Sequence, residues 1–306
     1  MIRPTAKPER DSIAAEYPPE FDARIYRGLH VDLAYLNDRG LKAHYDDHGR
    51  DEGRVANRIV TREDFIDLAP RDARVLEIGP YTNPMLRGPL VAYCDLLTDE
   101  QMRQRAADDG DDPNTVTPND YLIGADGLDS IPDQFAAILS SHNLEHQVDL
   151  VRHLQQARRR LESETGRYFL IVPDKRYCFD HYQTVSTIAQ VLEAYYSGRS
   201  AHTLQSVIEH VAMTSHEDAD HYWDEPCTPR PPVNPQDVRE AIELWQSDDP
   251  VDVHAWFFTP DTFREIITTL HALGLIGFEL ERLYPTVSGS NQFYAILRAV
   301  AEPTQE

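Results

Sequence analysis

Short uninterrupted apolar runs alternate through the middle of the chain with longer stretches whose apolar residues recur every three or four positions. RVLEIG (74–79), LVAYCDL (90–96), FAAILSS (135–141) and RYFLIVP (167–173) predict strands covered on both faces, since a half-exposed strand would alternate apolar and polar residues. Helices are expected between them, over 98–107 and over 149–163, where Leu150, Val151, Leu154, Ala157 and Leu161 share one face. Such alternation builds an α/β fold with a doubly wound parallel sheet, whose ligands sit at the carboxyl ends of the strands. A marked helix follows residue 258: Thr259 caps it, Pro260 fits its first turn, Phe263, Ile266, Ile267 and Leu270 form its stripe, and Gly274 closes it. GFELERLYPT (277–286) and NQFYAILRAV (291–300) then read as an antiparallel hairpin.

Breaks in this rhythm divide the chain. Residues 1–20 carry four prolines among charges and are expected to form a flexible arm. Residues 21–60, with small apolar patches at helical spacing, predict a helical N-terminal unit. The core is assigned to 61–180 and 257–306. Between them, 181–256 reads as a helical insertion, with helices over 186–198, 201–214 and 235–247 and a proline-rich stretch at 226–235. Insertions of this length between core elements commonly form lids that recognise a substrate.

Composition narrows the partners. With 306 residues, 41% hydrophobic, the chain can fill a sizeable core. Its formal net charge of −23 would repel a polyanion, so neither nucleic acid nor an anionic membrane is an expected partner. No run approaches the ~20 apolar residues of a membrane span, and the first residues lack a signal-peptide core, which leads to an expected cytoplasmic location. Cys94, Cys178 and Cys227 are widely separated and odd in number, so neither a disulfide framework nor a cysteine zinc site is expected.

Val75-Leu76-Glu77-Ile78-Gly79-Pro80 resembles the first motif of class I S-adenosylmethionine-dependent methyltransferases: a buried strand, an acidic residue two before a glycine, then a turn. The glycine lets backbone approach the methionine part of the cofactor, and the Glu77 carboxylate can serve its ammonium group. Tyr81 stands where the family usually has a second glycine, making the loop bulkier. Asp95, followed by Leu96, ends the second strand, where a carboxylate can accept both ribose hydroxyls; as plain structure it is a strand-end turn residue. Further on, GADGLDS resembles the family's next motif and implies Asp126 at the adenine amino group with Gly127 and Leu128 along the ring. Pro80, Tyr81 and Ser141 complete the implied cofactor set. The resemblance covers about 70–180 and 258–300 and implies a Rossmann-like seven-stranded sheet with a terminal antiparallel hairpin.

His142-Asn143-Leu144-Glu145-His146 has the H-x-x-E-H spacing of inverted zinc peptidases. Peptidase chemistry needs both histidines on one continuous helix, whereas here His142 falls at a strand end, with Glu145 and His146 opening the helix that follows. From a strand end His142 can face a transferable methyl, and an imidazole suits proton removal from a hydroxyl near neutral pH. It is the first candidate base, with a structural histidine under the cofactor as the alternative; His146 is the reserve. VPDKRYCFDHY (172–182) supplies a polar cluster at the next strand end: Asp174 and His181 as further catalytic candidates, and Arg176, Tyr177 and Asp180 for acceptor binding. His216 and His221 in the insertion and His254 before the last helix complete the acceptor set, and aromatic neighbours such as Tyr222 and Trp223 could stack on a sugar ring. Asp174 and Asp180 could instead hold a divalent ion, but no metal site is assigned.

DVHAWFFTP (252–260) and HYDDHGRDEGR (44–54) are similar to segments of bacterial glycan-biosynthesis proteins. The sequence therefore points to S-adenosylmethionine-dependent methyl transfer to a hydroxyl of a saccharide or glycoconjugate. The alternatives are a small-molecule phenol or carboxylate methyltransferase and a non-catalytic cofactor-binding subunit of the same fold. A homodimer stays open.

Overall fold

The computed structural model describes residues 17–124, 126–247 and 251–301. Its centre is one seven-stranded sheet: β1 (Val75–Ile78), β2 (Val91–Asp95), β3 (Tyr121–Leu122), β4 (Ala137–Ser141), β5 (Arg167–Pro173), β6 (Phe278–Tyr284) and β7 (Gln292–Ala299), in the order β3-β2-β1-β4-β5-β7-β6. All neighbours are parallel except β5 with β7 and β7 with β6. This is the doubly wound sheet with a closing hairpin that the apolar pattern predicts, in the Rossmann-like seven-stranded form that the resemblance implies. Its strand order reverses between β1 and β4, which opens a crevice at their carboxyl ends. β3 is the one strand that the pattern does not single out: two residues, with Leu122 exposed, are too short to carry a period.

The described residues form ten α-helices: α1 (Ala23–Leu29), α2 (Asp38–His44), α3 (Arg62–Ile66), α4 (Asp99–Asp109), α5 (Leu150–Arg159), α6 (Ile188–Ser197), α7 (Leu204–Met213), α8 (Ala219–Asp224), α9 (Pro235–Gln246) and α10 (Pro260–Ala272). Because successive strand residues point to opposite faces, β5 splits its side chains between two cores. Tyr168, Leu170 and Val172 join the larger one, with Leu150 and Leu154 of α5 and Phe263 and Ile267 of α10. Phe169 and Ile171 join the other, with Phe65 and Ile66 of α3. A five-residue helix such as α3 has no stability of its own. It is held by a Thr61/Asp64 capping box and by Phe65, which stacks on Tyr294 at 4.9 Å and contributes roughly 1.5–3 kcal/mol by burial.

Two boundaries differ from the sequence reading. α6, assigned to the insertion, places Val191 and Ala194 in the main core, so the sheet-covering layer includes 188–197 and the insertion proper begins after it. The last residues of the expected flexible arm, Tyr17–Glu20, are pinned. Tyr17 meets Phe169 edge-on, Tyr284 donates to the Pro18 carbonyl at 2.8 Å, and Glu20 accepts from Arg264 and from the Leu283 N–H. Residues 1–16 of that arm lie outside the described residues.

The N-terminal unit packs Tyr26, Leu33, Leu41 and Tyr45 into a small core of its own. Gly53 ties it to the rest. Its φ of +64° is left-handed, and a Cβ there would lie 2.5 Å from the Trp223 ring and 2.6 Å from the Ser288 nitrogen, so any side chain would separate three parts of the molecule. In the insertion, α7 and α9 bury Val207 and Ala241 against Val253. No helix among the described residues is long and apolar enough to cross a membrane.

The main core also buries a titratable group, His153 of α5, which bonds the Tyr168 hydroxyl at 2.9 Å. Burial lowers its pKa from 6.5 to about 4. The unfolded imidazole takes up its proton first as pH falls, so this contribution to stability is complete above about pH 6.5 and is lost toward pH 4. At about 1.4 kcal/mol per pKa unit, the loss approaches about 3 kcal/mol. Urea unfolding at pH 7 and at pH 4.5 should show a smaller acid loss for His153→Gln than for the native chain; equal losses would exclude this histidine as the cause.

Candidate active site

A cleft open to solvent lies at the carboxyl ends of β1, β2 and β4, where the strand order reverses. Ile78, Ile123 and Leu128 give it apolar walls, and Asp95, Asn143, Gln147, His153 and Gln156 place polar atoms around it. Gly79 forms its floor with φ +69°, and a Cβ there would lie 3.6 Å from the Asn143 amide, inside the space a ligand would use. The Asp95 carboxylate is half-buried and steadied by the Leu97 N–H at 2.9 Å. Burial is the main cause that raises its pKa.

The expected cofactor residues divide between this cleft and its supports. Gly79, Asp95, Leu96, Gly127 and Leu128 line it. Glu77 does not: both carboxylate oxygens turn inward and accept from the backbone N–H groups of Met85 and Leu86 at 2.7 and 2.9 Å, fastening the loop after β1. Pro80 is buried outside the lining. Tyr81 takes the left-handed backbone that a glycine would take, at φ +45°, and turns its ring toward α4, where its hydroxyl donates to Asp109. A side chain at this position thus costs about 1–2 kcal/mol of backbone strain but does not block the cleft. The Asp126 side chain is exposed and Ser141 ends β4; neither lines the cleft.

Besides the apolar Ile78 and Ile123, the sequence reading missed four polar lining residues: Asn143, Gln147, His153 and Gln156. The last two sit on α5 between positions of its apolar stripe; a polar pair three apart on an otherwise core-facing helix was the available signal.

Beside the cleft, the segment after β4 turns sharply. His142 has φ +49°, and Leu144–His146 form a separate 3₁₀ turn. Glu145 is therefore not in the first turn of α5, which starts five residues later behind its own cap, Asp149. His142 is about one-third exposed, and its Nε2 lies 2.9 Å from the Gln292 side-chain oxygen. Arg62 donates to that same oxygen, which fixes it as an acceptor, so His142 donates through Nε2 and leaves Nδ1 with its lone pair when neutral. Burial lowers the His142 pKa and favours this neutral form.

Most of the polar cluster after β5 is satisfied within the protein. Asp174 is fully buried and accepts from Arg176 and from Thr286. Tyr177 stacks on Trp223 with ring centres 3.8 Å apart, and His181 stacks on Tyr222 at 3.9 Å, so each pair of aromatic faces is spent on the other. His181 also bonds the Arg176 carbonyl through Nδ1. These residues build the rim rather than present free groups to it. Asp180 accepts from His254 Nδ1 at 2.7 Å. Of the two insertion histidines, His221 is half-buried near Thr228 and His216 is exposed.

No protein-family model and no curated protein sequence matches the chain. Solved structures similar to it include the CcbJ methyltransferase of Streptomyces caelestis, with 14% identity, 82% of this chain and 95% of that one covered, and a TM-score of 0.38. An S-adenosylmethionine-dependent methyltransferase of Mesorhizobium loti has 17% identity over 76% of this chain and 95% of its own, with a TM-score of 0.39. A Rhodobacter sphaeroides chain named for zinc-dependent alcohol dehydrogenases has 13% identity over 79% and 91%, with a TM-score of 0.41.

Glu77 offers a direct check on the loop that shapes the cleft. Glu77→Ala leaves two backbone N–H groups without their acceptor, at about 1–3 kcal/mol each. Chemical unfolding should show a loss of roughly 2–6 kcal/mol, with Glu77→Gln losing less because its one remaining oxygen still accepts. A native-like stability for Glu77→Ala would show that the loop does not depend on this carboxylate.

Proposed function

We propose that the chain is an S-adenosylmethionine-dependent O-methyltransferase acting on a hydroxyl of a saccharide or glycoconjugate. The observation that carries this reading is the segment 142–147. It sends Asn143 and Gln147 into the cleft while setting His142 and the histidines around it immediately beside. The cleft's lining fits the cofactor: a carboxylate at Asp95 for a vicinal diol, an apolar slot at Ile123 and Leu128 for a flat ring, and amides near Gly79 for an amino-acid end. Bound there, S-adenosylmethionine supplies a methyl group on a positively charged sulfur.

The chain's own residues would do the rest. Asp95, Asn143 and Gln147 orient the cofactor. His142, neutral and anchored through Nε2 to Gln292, keeps Nδ1 able to accept the acceptor's proton. From the insertion, His210 brings its ring centre to 6.3 Å from that of His254 beside the cleft, a polar neighbour that supports a polyhydroxylated acceptor better than an apolar one.

Calorimetry with S-adenosylmethionine and its demethylated product, followed by label transfer to a saccharide panel, tests this. Micromolar cofactor binding is expected. Asp95→Ala should weaken it about 10- to 100-fold by removing hydrogen bonds to a charged group. His142→Ala should bind the cofactor normally yet turn over about 10²- to 10⁴-fold more slowly. Absence of cofactor binding would overturn the whole reading, while transfer only to phenols or carboxylates would overturn the acceptor.

A further inference from the structure

Among the described residues, Glu145 stands out as a buried acid left unsatisfied. It is fully buried, and neither of its oxygens has a hydrogen-bond partner. Three imidazole nitrogens face Oε1 instead, all beyond hydrogen-bond range: His254 Nε2 at 3.8 Å, His142 Nδ1 at 3.9 Å and His146 Nε2 at 4.0 Å. A buried carboxylate left in this way is expensive unless something positively charged sits among its neighbours.

The two histidines that aim Nε2 at Glu145 are each held from behind. His254 bonds Asp180 through Nδ1 at 2.7 Å, and His146 bonds Asp252 through Nδ1 at 2.8 Å. Asp252 is itself braced by Arg105 at 3.0 Å. A carboxylate accepting from Nδ1–H places the lone pair of a neutral imidazole on Nε2, which is the arrangement that metal-bound histidines use. Both Nε2 atoms lie within 4.0 Å of the Glu145 oxygen, and the three donor atoms lie within 4.8 Å of one another.

We propose that Glu145, His146 and His254 bind a divalent transition-metal ion, with Asp180 and Asp252 as the positioning residues behind the two imidazoles. An ion about 2 Å from each donor, as zinc requires, would set the donors roughly 3–4 Å apart, close to the 3.8 and 4.0 Å now separating the two nitrogens from the carboxylate oxygen. Two imidazoles and a carboxylate suit zinc, iron or manganese better than calcium or magnesium, which prefer oxygen-only ligands. The site shares the 142–147 segment with the cleft, and His142 stands at its edge. If the proposed methyl transfer holds, the ion would polarise the acceptor oxygen from which His142 takes the proton. The metal assignment itself does not depend on that reaction.

The test uses the untagged full chain after chelator treatment, titrated with zinc and, separately, with cobalt(II), whose visible absorption reports nitrogen and oxygen ligation. One equivalent should bind and raise the melting temperature. Glu145→Gln and His254→Ala should each weaken binding at least about 100-fold, and Asp180→Asn and Asp252→Asn about 10-fold, in line with the usual effect of such partners. His216→Ala, exposed and outside the cluster, should bind as the native chain does. Circular dichroism and cofactor calorimetry on every variant separate loss of the ion from loss of the fold or of the neighbouring cleft. The native chain binding no stoichiometric ion, or Glu145→Gln binding as tightly as native, would overturn the site whether or not methyl transfer is found.

Discussion

The arrangement around the site depends on one main-chain contact. The Glu145 carbonyl accepts from two consecutive N–H groups, Ala255 at 2.7 Å and Trp256 at 3.1 Å. This sews the turn after β4 to the segment that enters α10, more than a hundred residues further along. The indole of Trp256 adds a bond to the Gln147 carbonyl. With the backbone so committed, the side chains of 143–147 must divide between the cleft on one side and the histidine cluster on the other. A flexible loop could not hold both sets of groups at once.

Much of the fold was legible because its strands are buried on both faces and read as continuous apolar runs. β5 coincides with the run RYFLIVP, and α10 begins at the cap and proline that announce it. What escaped the sequence reading has physical reasons. β3 has only two residues. α6 looked like part of the insertion because nothing in a lone amphipathic helix says which core it faces; only Val191 and Ala194, docked against α5 and α10, settle that.

The site was legible in its location more than in its roles. Strand ends pointed to Gly79, Asp95 and His142, and the cleft lies among them. Glu77 was read as a ligand-facing acid because a sequence shows that a carboxylate is present, not which way its oxygens turn; here they fasten two N–H groups. The opposite error concerned Glu145, read as helix architecture although it is the unpartnered group. H-x-x-E-H spacing shows two histidines and hides the third, because His254 arrives through a contact that no local window contains.

Trp223 carries a consequence for how the molecule is built. It stacks on Tyr177, donates through its indole nitrogen to the Ser290 carbonyl, and has Gly53 against its edge. One residue of the insertion therefore acts as a keystone between the N-terminal unit, the end of β5 and the final hairpin. The insertion is anchored like a hinge plate on that side. Away from that plate, α7 and α9 lean on each other through a separate apolar cluster, so the insertion stands on two independent supports.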